Sequence, residues 1–128
     1  MHTFDVVAGA GSLTPPDATV RLPHRWTDGG VGVVADFTGA HLLHLSVAGC
    51  VLNDCYREAA ALGVPLAGVR VEAGGGFDEQ WASTGVTFTV SVDSPADGAD
   101  VTRLLARVDE VAEIPRALRA GAPVRRAP

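Results

Sequence analysis

Two cysteines stand five residues apart in LSVAGCVLNDCYREAAALGV, residues 45–64, and what they can do depends on whether they share a face. On a helix, Leu45, Ala48, Leu52, Cys55, Ala59 and Leu62 fall in one continuous apolar seam, which makes Cys55 a small buried hydrophobe. Cys50 lies about 140° around the helix from Cys55, at ~100° per residue. Its own row is Leu43, Val47, Cys50, Asp54 and Arg57, apolar at one end and charged at the other. The Cys50 thiol is therefore expected to be partly covered yet reachable by a polar reactant. Residues five apart on a helix hold their Cα atoms more than about 8 Å apart, beyond the roughly 7 Å a disulfide tolerates. The two sulfurs cannot pair.

A thiol becomes a thiolate near neutral pH only beside a cation or a helix N-terminus. Asp54, one turn on, opposes ionisation, and Arg57 is expected to pair with Asp54 rather than with sulfur. A cation for Cys50 has to come from elsewhere, and Arg21 and Arg25 are the candidates, against the plainer reading of exposed strand-edge charges. His41 and His44 stand i, i+3, but no third ligand follows at recognisable spacing. They are expected to form a solvated helix start, and no metal is expected. His24-Arg25-Trp26 reads equally as a pocket mouth or an anchored strand end. Gly9-Ala10-Gly11 has no third glycine at dinucleotide spacing, and Gly74–Gly76 lacks the Lys-Ser/Thr of a phosphate loop, so both read as turns and no cofactor is expected. Ser12, Ser46 and Ser83 lack the setting of a nucleophile elbow.

The 128 residues suit one domain, 1–128, with 47% apolar and 20% charged residues. All ten fixed cations are arginines, so Schiff-base chemistry on lysine is excluded. A net charge of −5 argues against nucleic acid or an anionic membrane as partner. No basic segment precedes an apolar run at the N-terminus, and no apolar run approaches the ~20 residues of a membrane span. A cytoplasmic protein with reduced thiols is the expectation.

The elements that must position Cys50 follow from periodicity. Phe4–Ala8, Ala18–Leu22 and Val31–Ala35 read as strands, and Ala40–Leu62 as a long helix stopped by Gly63 and Pro65. Leu66–Ala73 and Val86–Val92 read as strands, the second alternating strictly between Val or Phe and Thr or Ser. Residues 99–112 form a helix, Pro115–Ala120 a short one closed by Gly121, and Val124 could begin a last strand. The order β-β-β-α-β-β-α-α predicts an α+β domain with an antiparallel sheet.

The segment GAHLLHLSVAGCVLNDCYREAAALGVPLAGVRVEA, residues 39–73, resembles the centre of the OsmC/Ohr family of osmotically inducible and organic-hydroperoxide-resistance proteins. The features are a helix with an Ala-Gly/Ala-Cys motif, a glycine stop and a strand of the type L-x-x-V-x-V. The second helix, its break and the terminal strand extend the likeness to roughly residues 35–124. The resemblance implies an OsmC-like fold with a long central helix, an intertwined homodimer, and two active sites at the subunit interface. It implies attack of a helix thiolate on an organic hydroperoxide, closure of the sulfenic acid to a disulfide by a second cysteine, and restoration by a dithiol such as a lipoyl protein. Cys50 takes the peroxidatic position.

Three departures accompany the resemblance. The family's Cys-Pro pair is Ile114-Pro115 here, its Pro-Glu pair is Gly39-Ala40, and its thiolate-poising arginine has no identifiable counterpart. The implied activity is thus a one-cysteine, thiol-dependent hydroperoxide reductase drawing on an external thiol or dithiol. The alternative is a non-catalytic dimer that binds an apolar or thiol-bearing small molecule.

Overall fold

A computed structural model describes residues 4–128; Met1–Thr3 of the expected 1–128 domain, and that part of the N-terminal targeting argument, lie outside the described residues. Five strands and three helices follow in the order β1 (Val6–Gly11), β2 (Val20–Leu22), β3 (Val31–Val34), α1 (Gly39–Leu62), β4 (Gly68–Phe77), β5 (Ser83–Asp93), α2 (Gly98–Val111) and α3 (Glu113–Ala120). The strands form one antiparallel sheet in the order β2-β3-β1-β4-β5, with Ala8 opposite both Val33 and Val71.

The long helix starts where the Thr38 hydroxyl accepts the His41 N–H at 3.1 Å. It stops at Gly63, whose left-handed φ of 71° lets its N–H reach the Ala59 carbonyl. Its apolar residues lie on the sheet, where Val47, Val51, Leu52 and Cys55 meet Val6, Ala8, Val69 and Val71. Leu104 and Val108 of α2 join the same core. Leu52 and Leu104 are fully buried, each burial stabilising by about 1.5–3 kcal/mol. Ala112, at ψ 111°, breaks the helical run between α2 and α3. Pro115 is the third residue of α3, still within the first turn, where a missing N–H forfeits no helical bond.

Four expectations need correction. Gly9-Ala10-Gly11 is not a turn but the second half of β1, Gly9 lying opposite Gly32 and Arg70, and a Cβ on Gly9 would collide with the Leu13 carbonyl. Gly74–Gly76 is not a turn: Gly74 pairs with Thr87 and Gly75 with Val86 inside β4 and β5, and the hairpin turns at residues 78–82. The reason is close packing. A Cβ on Gly75 would lie far inside contact with the Gly85 carbonyl oxygen and 3.2 Å from His44 Nε2. Gly75→Ala is therefore expected to lower stability by about 1–3 kcal/mol in urea unfolding. His41 and His44 are not a solvated helix start but buried, Phe4 meeting the His41 ring edge-on at 5.4 Å and the His44 Nδ1–H donating to the Phe4 carbonyl at 2.7 Å. Val124 forms no strand; it is 95% exposed, and among the described residues the tail after α3 joins no sheet.

Candidate thiol site

Cys55 sits in the apolar seam with no exposure, and burial, with the Asp54 charge adding, pushes its thiol up to about 12. It is inert packing, as the seam predicts. Cys50 is more enclosed than expected, 7% exposed, where α1 meets the start of α3. Burial raises its thiol above the usual value, and the charges of Asp54 and Glu113 add to the rise. The backbone amides of Ile114 and Glu113, in the first turn of α3, act the other way by addressing the sulfur.

The Cys50 thiol points to Asp54 Oδ2 at 4.0 Å, the i, i+4 neighbour the helix must place beside it. Asp54 is 2% exposed. Burial first, and then the charge of Glu113, lifts its carboxyl to about 6, against the pull of Arg57. Arg57 Nη2 lies 3.1 Å from Asp54 Oδ2 and its Nε donates to Glu58 at 3.0 Å. Arg107 of α2 in turn donates to Glu58 at 3.1 Å and to Glu110 at 3.3 Å. The charges form a chain along the α1–α2 seam that holds Arg57 on Asp54 and away from the sulfur, as the helix row predicts. Among the described residues, one metal-compatible group is Cys50, Asp54 and Glu113, whose ligand atoms lie within 4.8 Å of one another. His41 and His44 face different partners and share no such group.

Neither candidate arginine meets Cys50 within the chain. Arg21 Nη1 donates to the Gly29 carbonyl at 2.9 Å, and Arg25 stacks over Trp26 at 5.8 Å. Arg21 lies on β2 and Arg25 follows it, on a strap that His24 fastens to α1 through Asn53 Oδ1 at 3.0 Å. Under that strap lies a groove of about 280 Å³ bounded by Leu22, Arg25, Trp26, Leu45, Gly49 and Leu52. A second groove, about 260 Å³, opens on the Cys50 side of α1. Its walls are Val47, Val86, Phe88, Pro115 and Leu118, with Arg119 at the rim. Val47 is one turn before Cys50, and Pro115 follows the Ile114 amide that addresses the sulfur. Sequence reasoning missed Glu113 and the α3 amides. The signal was present in Ile114-Pro115, the pair the resemblance sets opposite a Cys-Pro pair.

An α+β domain with a five-stranded antiparallel sheet and three helices is the fold the comparisons support. The family model "OsmC-like protein" matches residues 32–126, and the chain belongs to that family. Two solved structures share the fold. One is the OsmC like protein from Mycoplasma pneumoniae, at TM-score 0.61 and 12% identity over 74% of this chain and 82% of that one. The other is an OsmC-like hydroperoxide resistance protein from Jannaschia sp. CCS1, at 0.54 and 11% over 96% and 92%. No curated protein matches the sequence. Among the described residues, no helix is long and apolar enough to cross a membrane.

Proposed function

We propose that this chain is a one-cysteine organic hydroperoxide reductase whose reacting atom is Cys50 Sγ. The observation that carries the reading is the setting of that sulfur. It lies in the Ala-Gly-Cys stretch that carries the resemblance, close to the first amides of α3 and beside an apolar groove that suits the organic part of a hydroperoxide. The sulfur takes the terminal peroxide oxygen, the O–O bond breaks, and the products are Cys50 sulfenic acid and an alcohol. Cys55 is too far round the helix to resolve it, so an external thiol condenses with the sulfenic acid, releasing water. A second thiol, or the other arm of a dithiol, then frees Cys50.

The reading includes a cytoplasmic setting and a homodimer, the latter supported by Val20 and Leu22, 48% and 50% exposed on the edge strand β2. Arg21 and Arg25 enter it as residues that a second copy would present to the sulfur. The second reading, a non-catalytic dimer that binds an apolar or thiol-bearing molecule, is favoured by the raised Cys50 thiol and its two carboxylate neighbours.

Consumption of an organic hydroperoxide with excess dithiol separates the two. Multiple turnovers that vanish in Cys50→Ser support the reductase. Consumption no faster in wild type than in Cys50→Ser supports the binder. An apolar groove also implies slower turnover of hydrogen peroxide than of an aryl or alkyl hydroperoxide under the same conditions.

A further inference from the structure

Peroxide reduction moves a proton as well as an oxygen atom: the thiol must lose one and the departing alkoxide must gain one. By the resemblance, Gly39-Ala40 stands in place of the family's glutamate pair and its arginine has no identifiable counterpart, and among the described residues no cation acts on Cys50. What the sulfur has instead is a carboxylate. Asp54 Oδ2 is the side-chain oxygen the Cys50 thiol addresses, at 4.0 Å. Its surroundings fix it from two sides: Arg57 holds it at 3.1 Å, and the Glu113 carboxyl lies within 4.8 Å of it at the start of α3. We propose that Asp54 is the proton acceptor of Cys50 and, paired with Glu113, the proton donor to the leaving alkoxide, so that α1 carries its own acid–base group one turn from its nucleophile.

This rests on the peroxide-reductase reading and supplies its proton path. As Sγ forms its bond to the terminal peroxide oxygen, the S–H proton passes to Asp54 Oδ2. The O–O electron pair leaves with the organic oxygen, which takes a proton from the Asp54–Glu113 pair and departs as the alcohol. Sulfur is oxidised by two electrons, the peroxide is reduced by two, and the hydroxyl of the peroxide becomes the hydroxyl of the sulfenic acid. Proton count is conserved, and no outside acid is needed. A positioned base of this kind contributes about 10²–10⁴-fold. A carboxyl near 6 is half-ionised close to working pH, whereas an ordinary aspartate has little affinity for the proton.

The charged groups facing the pair are Arg57 and Glu58 on α1, Arg107 on α2 and Glu113 on α3. Arg57 is pushed up by its Glu58 hydrogen bond and Glu58 is held down by Arg57, so a rise near pH 6 belongs to Asp54.

The test uses a Cys55→Ala background, so that one sulfur reports, and follows Cys50 from pH 5 to 9 with two reagents: an organic hydroperoxide and a neutral haloacetamide. With Asp54 present, both rates are expected to rise through about pH 6. Asp54→Asn is expected to remove that rise and slow both reactions about 10²-fold at pH 7, leaving only the limb of thiol ionisation at high pH. Equal rates and profiles in the two proteins overturn the role of Asp54. Should neither protein react with hydroperoxide, the reductase reading falls, while the haloacetamide profiles still decide whether Asp54 takes the Cys50 proton.

Discussion

Ile114→Cys is expected to turn a one-cysteine mechanism into a two-cysteine one. The backbone of residue 114 lies close enough to the Cys50 thiol to favour its ionised form, and Ile114 is half-buried against the same core. A thiol at that place meets a sulfenic acid on Cys50 at close range and condenses with it, releasing water. One equivalent of organic hydroperoxide should then give an intramolecular disulfide between Cys50 and the introduced thiol in nearly all molecules, seen as loss of two titratable thiols and a mass lower by two hydrogens. Turnover with a dithiol should rise at least about tenfold over wild type, because an internal thiol replaces a bimolecular step. Wild type under the same oxidation should show no internal disulfide, since Cys50 and Cys55 diverge on one helix. A variant that stops at the sulfenic acid would place the start of α3 too far from the sulfur.

Asp54→Asn is expected to make the protein more stable while making it less reactive. A buried carboxyl raised from 3.8 to about 6 binds protons better in the folded state than in the unfolded one. Its ionised form therefore weakens the fold. The sign follows from proton uptake. Below about pH 4 both states hold the proton and the group is neutral to stability. Between about 4 and 6 the folded state holds more proton, so its advantage falls as pH rises, and above about 6 the loss is complete. At 1.36 kcal/mol per tenfold change, the loss is at most about 3 kcal/mol. The asparagine variant escapes it, so its gain over wild type should grow from nearly nothing at pH 4 to about 1–3 kcal/mol at pH 7 in urea unfolding. A variant less stable than wild type at pH 7 would mean that the Arg57 ion pair outweighs the burial of Asp54. A charge kept where it weakens the fold is the pattern of a residue retained for chemistry rather than for packing.

The same physics decides which parts of the molecule were legible in the sequence. Val86 to Val92 announces its strand because one face packs on the core and the other meets solvent. Cys55 is legible as packing because the seam from Leu45 to Leu62 is long enough to define a face. The pairing of Arg57 with Asp54 follows from helix spacing alone, as does the impossibility of a Cys50–Cys55 bridge. Gly74–Gly76 misleads because glycine marks both turns and close approaches. Only the proximity of Gly85 and His44 tells them apart, and neither is near in sequence. His41 and His44 mislead because their cover, Phe4, arrives from ahead of β1 and is itself held edge-on by Phe77 at the end of β4. Glu113 is the residue of the site least visible in advance. Nothing local distinguishes it from the acidic face of α2, and it meets Cys50 only because Ala112 turns the chain and starts α3 over the middle of α1.

Peroxide reduction by this chain requires the Cys50 sulfur to be the atom that takes oxygen. The direct measurement is peptide mass spectrometry after brief exposure to an organic hydroperoxide in the presence of a dione that captures sulfenic acid. The adduct is expected on Cys50 and not on Cys55, to be lost in Cys50→Ser, and to form more slowly in Asp54→Asn at pH 7. An unmodified Cys50 in wild type after prolonged exposure, or an adduct carried equally by Cys55, would contradict the account.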